Sequence, residues 1–100
     1  MAKGYWIGRV DVNDDKGYQP YADANPPIFK KFGAKYVVRG GRYDGVEGQS
    51  RSRNAVIEFA DYATAVACYN SPEYQANLKI RQAHAMTDLL IVEGYDGPQP

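Results

Sequence analysis

The pattern of apolar and polar positions is clearest in the stretch from Asn54 to Asn70. Residues 54–59 form a compact apolar run broken only by Glu58, which predicts a central strand with both faces largely covered. A short helix is predicted directly after it, because apolar residues at i, i+3, i+4 and i+7 make one stripe: Tyr62, Ala65, Val66 and Tyr69. Asp61 stands where an N-cap carboxylate accepts backbone N–H bonds.

The N-terminal part of the chain predicts a strand followed by a long helix. Residues 4–12 form the strand, and both of its faces are apolar: Trp6, Val10 and Val12 lie on one, Tyr5 and Ile7 on the other. Residues 13–32 form the helix, with a stripe of Tyr18, Tyr21, Ala22, Phe29 and Phe32. Pro26 and Pro27 interrupt this pattern, so either the helix kinks there or Asn25 caps a second segment.

The remaining elements are predicted from glycine, proline and apolar positions. Residues 35–47 are predicted as one long strand with a bulge or coil at Gly40 and Gly41, and residues 48–51 as a hairpin turn. Ser71 and Pro72 begin a helix that carries Tyr74 and Leu78 up to about residue 81. Residues 82–87 are a connector, residues 88–93 an apolar strand, and the last residues an irregular tail.

The predicted order of elements is β-α-β-β-α-β. This order is that of an α+β ferredoxin-like sandwich, in which two helices cover one face of a four-stranded antiparallel sheet. A chain of 100 residues has room for one domain, which we expect over residues 1–94, with residues 95–100 as an irregular C-terminal tail.

The strands predict a homodimer. Two helices cover only one side of a four-stranded sheet, but the last strand offers apolar pairs on both of its faces, Leu89 with Ile91 and Leu90 with Val92. A strand whose outer face met water would alternate apolar with polar residues. We therefore expect the bare sheet face to pack against a second copy of the chain.

Composition narrows the classes of partner. Lys plus Arg and Asp plus Glu both number 12, so no net charge draws the protein to nucleic acid or to a membrane, and neither is expected as a partner. The single cysteine, Cys68, excludes an intrachain disulfide and is interpreted as a small packing residue. No apolar stretch suggests a signal peptide or membrane helix, and a cytoplasmic location is expected.

Several short motifs, taken together and in order, resemble the family catalogued as domain of unknown function 1330, within the dimeric α/β-barrel superfamily. They are Gly4-Tyr5-Trp6, Arg39-Gly40-Gly41, Glu47-Gly48, Val56-Ile57-Glu58-Phe59, Tyr69-Asn70-Ser71-Pro72-Glu73-Tyr74, Arg81 and Val92-Glu93-Gly94. The resemblance implies a ferredoxin-like fold and a homodimer. Because the family's activity is unassigned, it implies no catalytic residues, and the wider superfamily spans cofactor-free monooxygenases, isomerases and stress-response proteins.

The candidate binding site rests on polar groups close to the apolar stripes. Arg39 lies among valines and glycines, and we expect a neighbouring strand to bring Glu58 within its reach, as a salt bridge or as the polar handle of a pocket. Arg42, Arg51 and Arg53 are interpreted as solvated hairpin charges. The predicted ligand-binding set is Asn25, Arg39, Glu58, Tyr69, Tyr74, Arg81 and His84.

Two members of this set have simpler interpretations. His84, the one histidine, is a candidate acid or base but is more simply an exposed loop residue, and no second histidine completes a metal site. Asn25 either meets Arg39 and Tyr69 in a cleft or caps a helix before Pro26, and capping is slightly favoured.

Two functions fit these observations, and the sequence speaks against a third. The first is a cofactor-free site that binds or converts a small organic molecule, anionic if the arginines contact it, and no cofactor is expected. The second is a structural or regulatory dimer with no ligand. The third is a single-stranded RNA binder, which shares the order of elements but would need aromatic residues where Asn54 and Val56 stand.

Overall fold

The computed structural model describes residues 2–100, which form four strands and three helices. They are β1 (Gly4–Val12), α1 (Asp15–Lys31), β2 (Lys35–Arg39), β3 (Arg53–Phe59), α2 (Tyr62–Tyr69), α3 (Pro72–His84) and β4 (Ala85–Glu93). The strands make one antiparallel sheet in the order β2-β3-β1-β4. The predicted ferredoxin-like order is therefore confirmed, with its second helical unit divided at Ser71.

The core lies between the helices and one face of the sheet. Trp6 of β1 is at its centre, and its ring packs against four others with centroids within 6 Å: Phe29, Phe59, Tyr69 and Tyr74. Its indole Nε1 donates a hydrogen bond to the carbonyl oxygen of Ala65 in α2, at 2.8 Å. This bond fixes α2 to the central strand.

Helix α1 runs without a break through three prolines, Pro20, Pro26 and Pro27. The predicted cap at Asn25 is wrong, because Asn25 is a buried residue inside the helix. Each proline removes one i→i−4 hydrogen bond, a cost that the packing of the buried face offsets. The predicted stripe is confirmed: Tyr18, Tyr21 and Phe29 are buried, and Ala22 and Phe32 pack against them.

Strand β2 is much shorter than predicted. It ends at Arg39, before the two glycines, and Gly40 takes a positive φ of 65°. Residues 40–52 form an exposed irregular connection to β3 instead of the second half of a strand and a short turn. Alternation alone does not distinguish a strand from an exposed extended segment that has no partner strand.

The predicted caps of the two short helices are confirmed. The Asp61 side chain accepts a bond from the Thr64 N–H at 2.7 Å, and Ser71 Oγ accepts one from the Tyr74 N–H at 3.2 Å. The buried face of α2 is rotated from the predicted one, since Ala65 and Cys68 are buried whereas Tyr62 is exposed.

Cys68 packs in the core as the sequence indicated, with no exposed surface. Burial raises the pKa of its thiol to about 12, because a thiolate would lose its hydration there. The thiol is therefore inert at neutral pH.

The opposite face of the sheet carries no helix, and it is apolar at its centre. Its central positions are Ile7 of β1, Val38 of β2 and Leu90 and Val92 of β4, all partly exposed to solvent. Ile7 and Leu90 are directly paired across β1 and β4. Among residues 2–100, no helix is long and apolar enough to cross a membrane.

Two glycines on the helix side of β1 make a matched pair for a stability test. A Cβ on Gly4 would overlap the Asp61 carbonyl and lie 2.7 Å from the Cα of Tyr62, whereas a Cβ on Gly8 would meet only Leu89, at 3.5 Å. We expect Gly4→Ala to lower the free energy of unfolding by about 2 kcal/mol, as overpacking against backbone does. We expect Gly8→Ala to change it by less than about 1 kcal/mol.

Urea denaturation at one protein concentration measures both free energies. Equal effects of the two substitutions would contradict the close contact between β1 and the start of α2.

Candidate functional site

A cavity of about 410 Å³ lies between the sheet and the helices. Its apolar walls are mainly aromatic: Trp6, Tyr18, Tyr21, Phe29, Tyr36 and Tyr74. Gly8 forms part of the sheet-side wall, where the absence of a side chain leaves room above the strand. The volume is within the range of small-molecule sites.

Arg81 of α3 lies in the wall of this cavity and is only 7% exposed. Its Nη1 donates a hydrogen bond to the Tyr74 hydroxyl at 2.8 Å, and its guanidinium carbon is 5.7 Å from the centre of the Tyr21 ring. Its Nε–H has no partner, and within residues 2–100 no carboxylate pairs with it. A buried guanidinium that lacks a carboxylate is costly, so this group is suited to an anion supplied from outside.

The hydroxyls of two tyrosines extend the cluster of polar groups around Arg81. The hydroxyls of Tyr21 and Tyr74 are 2.7 Å apart and share a hydrogen bond. Burial raises the pKa of the Tyr74 hydroxyl far above its usual range, because a phenolate would be desolvated there. Tyr74 therefore stays neutral, and its hydroxyl bonds to both Arg81 and Tyr21.

Behind this polar cluster, hydrogen bonds of Asn25 and Asn77 join α1 to α3. Asn77 Nδ2 donates to Asn25 Oδ1 at 2.8 Å and to the carbonyl oxygen of Tyr21 at 3.1 Å. Asn25 also lines the cavity, as the less favoured interpretation of the sequence proposed. Thr87 of β4 adds a hydroxyl to the wall, and this hydroxyl is buried without a partner.

Two further arginines stand over aromatic rings at the edge of the cavity. The Arg39 guanidinium lies 4.3 Å from the centre of the Tyr36 ring, and that of Arg53 lies 5.1 Å from the Tyr18 ring. Arg53 also pairs with Asp15 at 3.2 Å across the surface. Desolvation raises the pKa of both tyrosines, so they remain neutral beside the arginines. The lining residues in the described chain thus include three arginines and neither aspartate nor glutamate.

Four of the seven predicted site residues line this cavity: Asn25, Arg39, Tyr74 and Arg81. Tyr69 lies on the same side of the sheet but behind the wall, where its ring packs against Trp6 and Tyr74. It supports the site and does not line it.

Glu58 is on the other face of the sheet, so the expected approach of Glu58 to Arg39 is wrong. Glu58 faces Lys35 in the register of β2 and β3, whereas Arg39 faces Ala55. The Glu58 carboxylate instead accepts a hydrogen bond from the Tyr5 hydroxyl at 3.2 Å. The register shift between Tyr36 and Val38 turns Arg39 to the helix side, and sequence alternation does not reveal a one-residue bulge.

His84 also lies outside the cavity, and the predicted connector around it is wrong. It is the last residue of α3, and β4 begins at the next residue. Its Nδ1 is 3.6 Å from Asp14 Oδ2, and its ring lies against Gly17, where a Cβ would overlap it. The backbone carbonyl of His84 accepts a bond from the Asn13 N–H at 2.8 Å. The residue therefore joins the end of α3 to the start of α1.

Arg51 is more than the solvated hairpin charge predicted from the sequence. Its Nη1 is 2.9 Å from Asp11 and its Nε is 2.9 Å from Asp88, at one end of the open sheet face. The hydrogen bond from Arg51 lowers the pKa of Asp88, and the backbone N–H of Ser52 lowers that of Asp11. These bonds hold the end of the connection against β1 and β4.

Comparison with known proteins gives a family and a fold. A family model described as domain of unknown function 1330 (DUF1330) matches residues 3–95. No curated protein matches the chain significantly. Among solved structures, a protein of unknown function from Rhodopseudomonas palustris is similar at a TM-score of 0.77 and 18% identity, over 96% of this chain and 85% of that one.

Two further structures share the fold. A dimeric protein of unknown function with a ferredoxin-like fold, from Bacteroides fragilis, has a TM-score of 0.62 and 15% identity over 91% of this chain and 95% of that chain. A cofactor-independent oxygenase from Streptomyces nogalater has a TM-score of 0.64 and 9% identity over 100% and 97%. At these identities the likeness concerns the fold alone.

Proposed function

The chain belongs to the DUF1330 family, and we propose that it is a homodimeric protein that binds a small organic anion in the cavity between its sheet and helices. The observation that carries this proposal is Arg81, a buried guanidinium at the cavity wall without a carboxylate partner. A ligand carboxylate in the cavity would pair with the Arg81 guanidinium and supply the negative charge that the protein does not.

The composition of the walls supports this class of ligand. Aromatic rings provide the apolar contacts that most small-molecule sites use, and a few convergent polar groups provide orientation. Three arginines with no acidic residue in the described wall favour an anion over a cation.

A second candidate function is conversion of the bound molecule without a cofactor. One structural neighbour is described as a cofactor-independent oxygenase, which makes chemistry in this fold reasonable. In this chain the Arg81 guanidinium would stabilise negative charge on a substrate oxygen, as an enolate requires. Binding is the better supported function, because the described wall includes no aspartate, glutamate or histidine to act as a base.

The homodimer is supported by the open face of the sheet. Its central apolar side chains remain partly exposed in one chain, and Leu90 is 54% exposed. Soluble monomers seldom keep a contiguous apolar patch of more than a few hundred Å² in water. Structural neighbours described as dimeric, from Bacteroides fragilis and Thermobifida fusca, share the fold.

Isothermal titration calorimetry with benzoate tests the ligand class. Benzamide has nearly the same shape as benzoate but carries no charge. We expect benzoate to bind and benzamide to bind at least about tenfold more weakly, because hydrogen bonds to charged groups contribute about 1.5–3 kcal/mol. Arg81→Met should remove this preference, whereas Arg42→Met, on the exposed connection, should leave it intact. Gly8→Leu should abolish binding by filling the cavity.

Equal binding of benzoate and benzamide, no binding of either, or preference retained in Arg81→Met would overturn the proposal. Circular dichroism of each variant verifies that the fold is intact.

A further inference from the structure

Two guanidinium groups in the cavity walls lack a carboxylate partner. One is the buried Arg81 on α3. The other is Arg39 on β2, whose guanidinium lies over the ring of Tyr36. Within residues 2–100, Arg9, Arg51 and Arg53 each pair with an aspartate, whereas neither of these two does. The same cavity therefore contains two guanidinium groups that are free to bind an anion.

These two arginines approach the cavity from different sides. Arg39 belongs to the edge strand β2, whereas Arg81 belongs to α3, which packs against β4 at the other edge. Strands β3 and β1 lie between them, so the two edge strands are roughly 14 Å apart at about 4.8 Å per strand. Both side chains line the cavity that lies between these edges.

The conformation of β2 places Arg39 in the cavity. Tyr36 and Arg39 are three residues apart, so regular alternation would put them on opposite faces. The register shift between Tyr36 and Val38 instead pairs Tyr36 with Ile57 and Arg39 with Ala55, both on the helix side. A bulge that turns one side chain into a cavity is a common feature beside binding sites. The bulge therefore brings Arg39 into the same cavity as Arg81.

We propose that the ligand carries two anionic groups, one bound by Arg81 and the other by Arg39, on a short apolar body. This inference rests on the proposed function and specifies its ligand as a dicarboxylate. At the buried end of the site, the Arg81 guanidinium binds one carboxylate. The exposed Arg39, stacked on Tyr36, binds the other where the cavity opens to solvent.

The affinities of terephthalate and of its monomethyl ester distinguish a dicarboxylate site from a single-carboxylate site. The two compounds share one aromatic body and one carboxylate, and they differ only in the charge at the second end. We expect calorimetry to give terephthalate an affinity at least about tenfold higher than that of the ester. Arg39→Gln should reduce the affinity for terephthalate to that of the ester, and folding should be unaffected because Arg39 is exposed. Arg42→Gln removes the same charge outside the cavity and should preserve the tenfold preference.

Each outcome has one interpretation. Equal affinities for the two compounds, or a preference for terephthalate that survives Arg39→Gln, would overturn the dicarboxylate inference. In either case the single-carboxylate site stands if Arg81→Met abolishes binding of both compounds. Failure of both compounds to bind, or binding that Arg81→Met leaves unchanged, would overturn the proposed function and this inference with it.

Discussion

The Trp6→Ala variant is expected to lose about 4 kcal/mol of its free energy of unfolding, within the range of about 3–5 kcal/mol for large aromatic residues removed from a core. Trp6 is 1% exposed and contacts rings from α1, β3, α2 and α3. Its removal would also leave the Ala65 carbonyl without its 2.8 Å hydrogen bond. The loss is a large fraction of the stability of a small domain.

Urea denaturation followed by circular dichroism measures this loss, since the variant lacks its tryptophan fluorophore. The protein concentration must be the same for all variants, because the proposed dimerisation would contribute to apparent stability. Tyr62→Ala is the control: it removes an aromatic ring from an exposed position and should cost less than about 1 kcal/mol. A Trp6→Ala effect as small as that of the control would contradict the aromatic core described above.

The Leu90→Glu variant is expected to be a monomer of about 11 kDa at micromolar concentration, where we expect the unsubstituted chain to be a dimer of twice that mass. Leu90 is paired with Ile7 at the middle of the open sheet face. In a two-fold symmetric interface the substitution buries two carboxylates without partners, which costs several kcal/mol.

Sedimentation equilibrium gives the mass of each form. Ala76→Glu is a suitable control, because Ala76 is exposed on α3, on the side of the sheet that the helices cover. We expect Ala76→Glu to remain dimeric. A monomeric parent chain, or a dimeric Leu90→Glu, would contradict an interface formed by this face.

The fold was predictable because most of its determinants are local. The caps at Asp61 and Ser71, the two-faced apolar pattern of β1 and the stripe of α1 each specify one element, and the order of elements specifies the sheet. Errors occurred where tertiary packing outweighs local preference. Packing keeps α1 helical through Pro26 and Pro27, and it extends α3 to His84, where a connector was predicted.

The site was only partly predictable, since its composition depends on which way side chains turn. Arg81 and Tyr74 were found because both are polar groups close to the apolar stripe of a predicted helix. Glu58 was misplaced because the bulge before Arg39 has no sequence signal. Asn77 and Thr87 were missed because a polar residue in a helix or strand looks solvent-facing until its neighbours are known.

The most direct test of the account is the NMR signal of the Arg81 Nε–H in a ¹H–¹⁵N spectrum, identified by its absence from the spectrum of Arg81→Lys. This N–H has no partner in the protein, so it should report the arrival of a carboxylate. We predict that the signal moves when benzoate is added and does not move with the same concentration of benzamide. A signal that responds to neither compound, or to both alike, would contradict the claim that Arg81 is an anion-binding group.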